Sequence, residues 1–412
     1  MLVKPKMFLN LALGILAAIG GFVDIGDLVF NTAAGATFGY QLMWVIPIGV
    51  LGIIVYSEMS GRVAAASGKA VFDAVRERTG FTAGLSALIA SEVVNLLTLA
   101  AEIGGVAIAL QLLSGLPYRV LLVLGVIGLA LVLWVVKLEW MERIFGYGGL
   151  CMLVFAVAAV KLGPDWAQAG KGFIPHIAQN NPWLYMYFAI GLLGAAMTPY
   201  EVYFYSSGGV EARWTPKDVG LNRANAIVGY SLGGLLSLAL MIVGAAVFLR
   251  HGINPEHLGT IALGAEQPLG GVGLLLAIVG ILFAVGGASI DTVFSGAYNL
   301  AQFLGWEWGR YRNPAGAPRF ALTWLVLLVF ALAIVMTGVD PVMLTEYAVI
   351  FSAVALPLTY IPILLVANDP DYMGSNKNGP VANTLGLVYL VVILVIAVAA
   401  IPLMLITNVG QN

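Results

Sequence analysis

The chain has 412 residues, 60% of them hydrophobic and 10% charged, with a net charge of −2, whereas a soluble domain carries roughly 25% charged residues. That balance excludes a soluble domain and predicts a polytopic membrane protein whose constant partner is the lipid bilayer. The single cysteine, Cys151, excludes an internal disulfide and a thiolate metal cluster, and the lack of a basic run interleaved with aromatics excludes nucleic acid as a partner.

A helix needs roughly 20 apolar residues to cross the hydrocarbon core. On that criterion eleven spans are predicted, at 9–30, 42–60, 85–113, 120–136, 148–162, 184–206, 226–249, 272–300, 320–337, 343–366 and 384–406. Lys4 and Lys6 precede the first, but its apolar stretch leads straight into Asp24-Ile25-Gly26-Asp27, so no cleavable signal is expected. Carboxylates at membrane depth are costly and mark functional sites. Gly20, Gly21 and Gly26 loosen the helix around them. Span 2 ends at Glu58, one turn from Arg62, a spacing that predicts an interfacial ion pair. Span 3 holds Glu92 and, amid small residues in Leu99-Ala100-Ala101-Glu102-Ile103-Gly104-Gly105, the carboxyl of Glu102, a candidate for carrying a proton.

Span 6 contains a second interruption, Ala195-Ala196-Met197-Thr198-Pro199-Tyr200-Glu201. Two broken hydrophobic segments in corresponding positions are the sequence sign of a transporter site at the bilayer midplane. Asp291 in span 8 is a further intramembrane acid. His176, His251 and His257 all fall in predicted external loops, which leaves carboxylates, backbone carbonyls and hydroxyls such as Thr198 as donors. That set suits hard cations. Met197 is the one soft donor nearby.

Orientation follows from the lysines and arginines. Fifteen of the nineteen lie on the side holding the N-terminus, and Arg119, Lys161, Lys171 and Arg250 lie on the other. The N-terminus is expected inside the cell membrane and the C-terminus outside. If spans 1–5 and 6–10 are two repeats, five helices in each force them to be inverted. The single transmembrane domain, 1–412, then divides into a first repeat at 1–165, a second at 180–370 and an extra helix at 380–412, with helices 1 and 6 broken.

The run Asp24-Ile25-Gly26-Asp27-Leu28 through Asn31-Thr32-Ala33-Ala34-Gly35 to Trp44 resembles the first broken helix and following loop of the Nramp family of divalent-metal transporters. Ser60-Gly61-Arg62, Ser67-Gly68-Lys69 and Arg76-Glu77-Arg78 are similar to that family's second helix and cytoplasmic loop. Leu99–Gly104 resembles its third helix, and Thr198-Pro199-Tyr200-Glu201 falls at its broken sixth helix. The resemblance implies an all-α, leucine-transporter-like fold and alternating access. Several positions depart from the family pattern. Ile25 and Asp27 stand for Pro and Asn of Asp-Pro-Gly-Asn, and Thr198, Tyr200 and Glu201 stand for Met, His and Asn of Met-Pro-His-Asn. The family's acid three before Glu102 is Leu99 here, and the arginines of its ninth span have no counterpart in Ala321-Leu322-Thr323-Trp324. The family's methionine thioether, credited with favouring transition metals, is thus absent.

The leading expectation is a secondary transporter in which Asp24, Asp27, Thr198, Glu201 and the carbonyl of Ala195 hold a divalent cation, Mg2+ or Mn2+, as substrate. Glu102 is assigned to proton movement, and no cofactor is expected. The alternative is a carrier of an organic cation or amino acid, with Tyr200, Tyr203 or Tyr205 forming a cation-π wall. A nucleophile and base do not occur together in any span, so an enzyme is not expected.

Overall fold

A computed structural model describes residues 23–408, apart from 137, 178, 179, 256, 311 and 313. Every regular element among the described residues is helical. Lys4, Lys6 and the first part of predicted span 1, residues 9–22 with Gly20 and Gly21, lie outside them.

Helix α1, Ile25–Phe38, starts at Asp24, whose backbone is extended (φ −82°, ψ −176°) and whose side chain caps the first turn. It runs on past the predicted end at 30, because Thr32-Ala33-Ala34-Gly35-Ala36 packs closely against other helices where a loop was expected. Gly39 in the left-handed region (φ 62°) stops it, bonding back to Gly35. Helix α2, Val45–Ser67, leads to α3, Val71–Ser114, which is 44 residues long but turns sharply at Gly80 (φ 80°, ψ 175°). Residues 71–79 therefore form a separate arm before the predicted span.

Helices α4 (Tyr118–Val135), α5 (Leu138–Gly149) and α6 (Leu153–Lys161) follow. Short α7, Trp166–Lys171, leads to the broken pair α8, Pro182–Ala196, and α9, Pro199–Glu211. Helix α10, Val219–Val243, continues as a π-helical segment, Gly244–Leu249. Helix α11, Leu258–Leu304, is bent at Gly270 beside Pro268, so the predicted start at 272 marks the kink. Helices α12 (Pro318–Met336), α13 (Pro341–Asn368) and α14 (Pro380–Thr407) complete the bundle.

Nine of the described stretches are long and apolar enough to cross a membrane. Predicted spans 1 and 6 are missing from that number for clear reasons. Only the second part of span 1 is described, and span 6 is split into helices of 15 and 13 residues.

The core is held by close helix crossings. A Cβ at Gly35 would collide with the backbone carbonyl of Met241, and one at Gly244 with the carbonyl of Thr32, so α1 meets the end of α10 backbone to backbone. Gly191 of α8 similarly receives the ring of Phe30. These contacts set α1 between α8, the first half of broken span 6, and α10, as the site below requires.

Candidate functional site

The break in span 6 follows from one residue. In a continuous helix the carbonyl of Ala195 would accept from the N–H of residue 199, and Pro199 has none. Proline also disfavours helical backbone at the residue before it. Met197 (φ −125°, ψ 39°) and Thr198 (φ −58°, ψ 132°) leave the helix, and Pro199 opens α9. Neighbouring helices bond the loosened backbone. Tyr360 Oη donates to the Met197 carbonyl at 2.9 Å, Ser352 Oγ to that of Gly194 at 3.4 Å and Ser295 Oγ to that of Tyr200 at 3.1 Å.

This interruption lies directly beside the one at Asp24. The Ala195 methyl is 3.6 Å from where a Cβ on Gly26 would stand, and Tyr200 Oη donates to Asp24 Oδ2 at 3.3 Å. Asp24 Oδ1 accepts from the Asp27 backbone N–H at 2.9 Å. Asp27 faces elsewhere: its Oδ1 accepts from Asn31 Nδ2 and from Ser237 Oγ of α10, both at 3.1 Å. Thr198 Oγ1 donates to Glu201 Oε1 at 2.7 Å, while Glu201 Oε2 is buried without a hydrogen-bond partner.

The sequence-predicted residues are therefore partly assembled. Asp24, Ala195, Thr198 and Glu201 gather at the two breaks, and Asp27 turns toward α10. Among the described residues no three acidic, histidine or cysteine side chains close around one point. Any cation here would complete its shell with hydroxyls, carbonyls or water, as hard ions do. Asp24, Asp27, Glu102 and Glu201 are 2%, 3%, 0% and 8% exposed, and among the described residues none forms a salt bridge. An isolated buried charge is too costly to persist, so the cluster needs a cation or protons to balance it.

Glu102 reaches the same region from α3. Its Oε1 accepts from Thr292 Oγ1 of α11 at 3.2 Å, its Oε2 has no partner, and Asp24, Glu201 and Asp291 lie within electrostatic reach. The sulfur of Met197 lies against Gly52 of α2, where the ring of Tyr389 on α14 also packs. Tyr203 packs edge-on against Phe72, and Tyr205 packs against Trp214 and donates to the Asn222 carbonyl at 3.0 Å. Of the three tyrosines only Tyr200 meets Asp24. Glu58 and Arg62 form the expected pair at 3.0 Å.

Two partners escaped the sequence reading. Asn31 sits one turn after Asp27, a spacing that could have revealed it. Ser237 is a lone hydroxyl in the apolar run 232–240, and only the tertiary contact reveals its role.

The sequence matches the family described as natural resistance-associated macrophage protein-like over residues 14–402. It is similar to the divalent metal cation transporter MntH of Deinococcus radiodurans, 28% identical over 371 residues that cover 86% of this chain and 80% of that one. The MntH of Bacillus subtilis is 25% identical over 381 residues, covering 88% and 84%. Among solved structures, the Eremococcus coleocola manganese transporter aligns over 100% of this chain and 96% of its own, with a TM-score of 0.79 and 20% identity. MhsT in complex with L-phenylalanine aligns over 95% and 97%, with a TM-score of 0.64 and 16% identity. Those two likenesses bear on the fold alone, which is all-α and leucine-transporter-like.

Proposed function

The chain belongs to the Nramp family, and from that premise we propose that it carries a divalent metal cation across the cell membrane by alternating access around the two facing helix breaks. Members of this family are transporters and not enzymes. The metal is the cargo and no resident cofactor is invoked. The observation that carries the reading is the meeting of the breaks: Tyr200 Oη lies 3.3 Å from Asp24 Oδ2, with the unpartnered Glu201 Oε2 close by in sequence and Ala195 against Gly26. Asp24, Thr198, Glu201 and the Ala195 carbonyl supply oxygen ligands, and Asp27 adds charge one turn away. The relatives' description as divalent metal cation transporters supports the same substrate class.

The donor set favours Mg2+ or Mn2+. It is made of oxygens, Thr198 stands where the family carries a thioether, and the sulfur of Met197 is directed at Gly52. A site that keeps several waters suits Mg2+, which dehydrates reluctantly. Glu102, within reach of the cluster, is the group proposed to link transport to protons. The proposed topology has the N-terminus inside and the C-terminus outside, with inverted repeats at 1–165 and 180–370 followed by the helix at 380–412.

The deciding experiment is uptake of Mg2+, Mn2+ and Ca2+ into proteoliposomes, with a pH reporter inside and empty liposomes as control. Entry of Mg2+ and Mn2+ is expected, with acidification that Glu102→Gln diminishes. Failure of all three ions to enter would favour the alternative, an organic cation or amino acid held by Asp24 and Tyr200.

A further inference from the structure

Ten residues before Glu102 on α3, about 15 Å along the helix, lies a second polar cluster that the transport site does not use. Ser91, Glu92 and Asn95 of α3 face Gly296 and Asn299 of α11. Asn299 Nδ2 donates to Ser91 Oγ at 3.0 Å. Glu92 Oε1, both amide atoms of Asn95 and Asn299 Oδ1 are buried with no hydrogen-bond partner. Asn95 and Asn299 are 2% and 0% exposed, so neither reaches bulk solvent.

With no side chain at 296, Glu92, Asn95 and Leu327 close tightly on α11 there. A Cβ there would stand 2.9 Å from Glu92 Oε2, 3.5 Å from Asn95 Nδ2 and 2.8 Å from Leu327 Cδ1 of α12. Each unsatisfied buried polar atom costs on the order of 1–3 kcal/mol. Three of the four are oxygens, Glu92 Oε1, Asn95 Oδ1 and Asn299 Oδ1, and three unpartnered oxygens on two facing helices call for a shared ligand.

We propose that a monovalent cation of the sodium class binds in this notch, held by Glu92, the amide oxygens of Asn95 and Asn299, and Ser91 Oγ. All of these donors are oxygens, the ligand type of hard ions and not of soft ones. Charge decides the valence. The one carboxylate balances a single positive charge, whereas a divalent ion would leave an excess at membrane depth. Among the described residues no lysine or arginine forms a salt bridge with Glu92 that would neutralise it instead. Lying between α3, which carries Glu102, and α11, which carries Thr292, the ion would steady the two helices against which the transport site is built.

The test is thermal unfolding of the purified full-length protein in sodium chloride and in choline chloride at matched ionic strength. Sodium is expected to raise the midpoint saturably in the wild type. Glu92→Gln, which keeps the shape of the side chain, and Gly296→Ala, which fills the notch, should both lose that shift while retaining calorimetric heat of divalent-metal binding. Equal midpoints in the two salts for wild type would assign the notch to water and overturn the proposal. An undiminished sodium shift in whichever variant folds would also overturn it. The sodium readout does not use the divalent ion, so absence of metal heat in the wild type would count against the transport reading alone.

Discussion

Asp24 and Asp27 are one helical turn apart, yet their surroundings give them different roles. Asp24 is bound at one oxygen by the backbone it caps and at the other only by the long bond from Tyr200. It can turn that second oxygen to a cation with little loss. Asp24→Ala should therefore abolish divalent-metal binding in calorimetry, and wild-type affinity in that variant would remove it from the site. Asp27 is steadied by Asn31 and Ser237 on one oxygen. Ser237→Ala removes one of those two bonds, of the charge-assisted kind worth about 1.5–3 kcal/mol. Metal affinity should fall about tenfold with the unfolding midpoint little changed; an unchanged affinity would confine Asp27 to a structural role. Thr198→Met, which restores a thioether beside the break, should raise competition by Cd2+ relative to Mg2+ in uptake, since sulfur prefers softer ions. The acids were legible in the sequence because charge inside an apolar run is conspicuous. Ser237 was not, because its meaning depends on a contact 210 positions away.

At the scale of helices, the two breaks differ in how openly the sequence declares them. Pro199 states its break outright, since it removes one hydrogen bond and restricts the residue before it. Continuing the helix by Pro199→Ala would give the Ala195 carbonyl its N–H partner. The variant should keep or raise its unfolding midpoint while losing metal uptake; full transport would show that the break is not needed. Hydropathy alone ends the first span at 30, because Asn31-Thr32-Ala33-Ala34-Gly35 has the look of a connection, whereas α1 continues to Phe38. Those small residues instead permit the approach to α10. Gly35→Ala would drive a methyl group into the Met241 carbonyl, and because backbone cannot rotate aside, a loss of about 1–3 kcal/mol is expected, read as a lowered unfolding midpoint. Helix kinks at Gly80 and Gly270 explain why two predicted spans began later than their helices. Pattern reading finds the apolar segment, and the left-handed glycine decides where the chain turns.

For the whole molecule, among the described residues the ion pairs of lysine and arginine fall on the side predicted to hold the N-terminus, and the pair of His257 with Asp340 on the other. Arg62 meets Glu58 at 3.0 Å, Lys69 meets Glu77 at 2.7 Å, Arg78 meets Asp369 at 2.6 Å and Arg310 meets Glu211 at 2.9 Å. The Arg310–Glu211 pair is 10% and 6% exposed, and the guanidinium also lies 4.9 Å from the centre of the Phe204 ring, which ties the end of α9 to the segment after α11. Of these pairs Arg310–Glu211 is the buried one that joins two elements, so in the proposed alternating access an opening between α9 and the segment after α11 would have to part it, and removing one partner of a buried pair is far costlier than disturbing a surface one. In the proposed topology the ion-paired end faces the cytoplasm, because the predicted spans put fifteen of the nineteen lysines and arginines on the side of Lys377 and four on the side of Lys171. Cys151 is the only cysteine, so Cys151→Ser provides a clean background for single cysteines at exposed positions on each side. On intact cells a membrane-impermeant maleimide should label Lys171→Cys and spare Lys377→Cys until the cells are opened. The reverse pattern would invert the topology and place the ion-paired end outside, so that opening it would admit metal instead of releasing it.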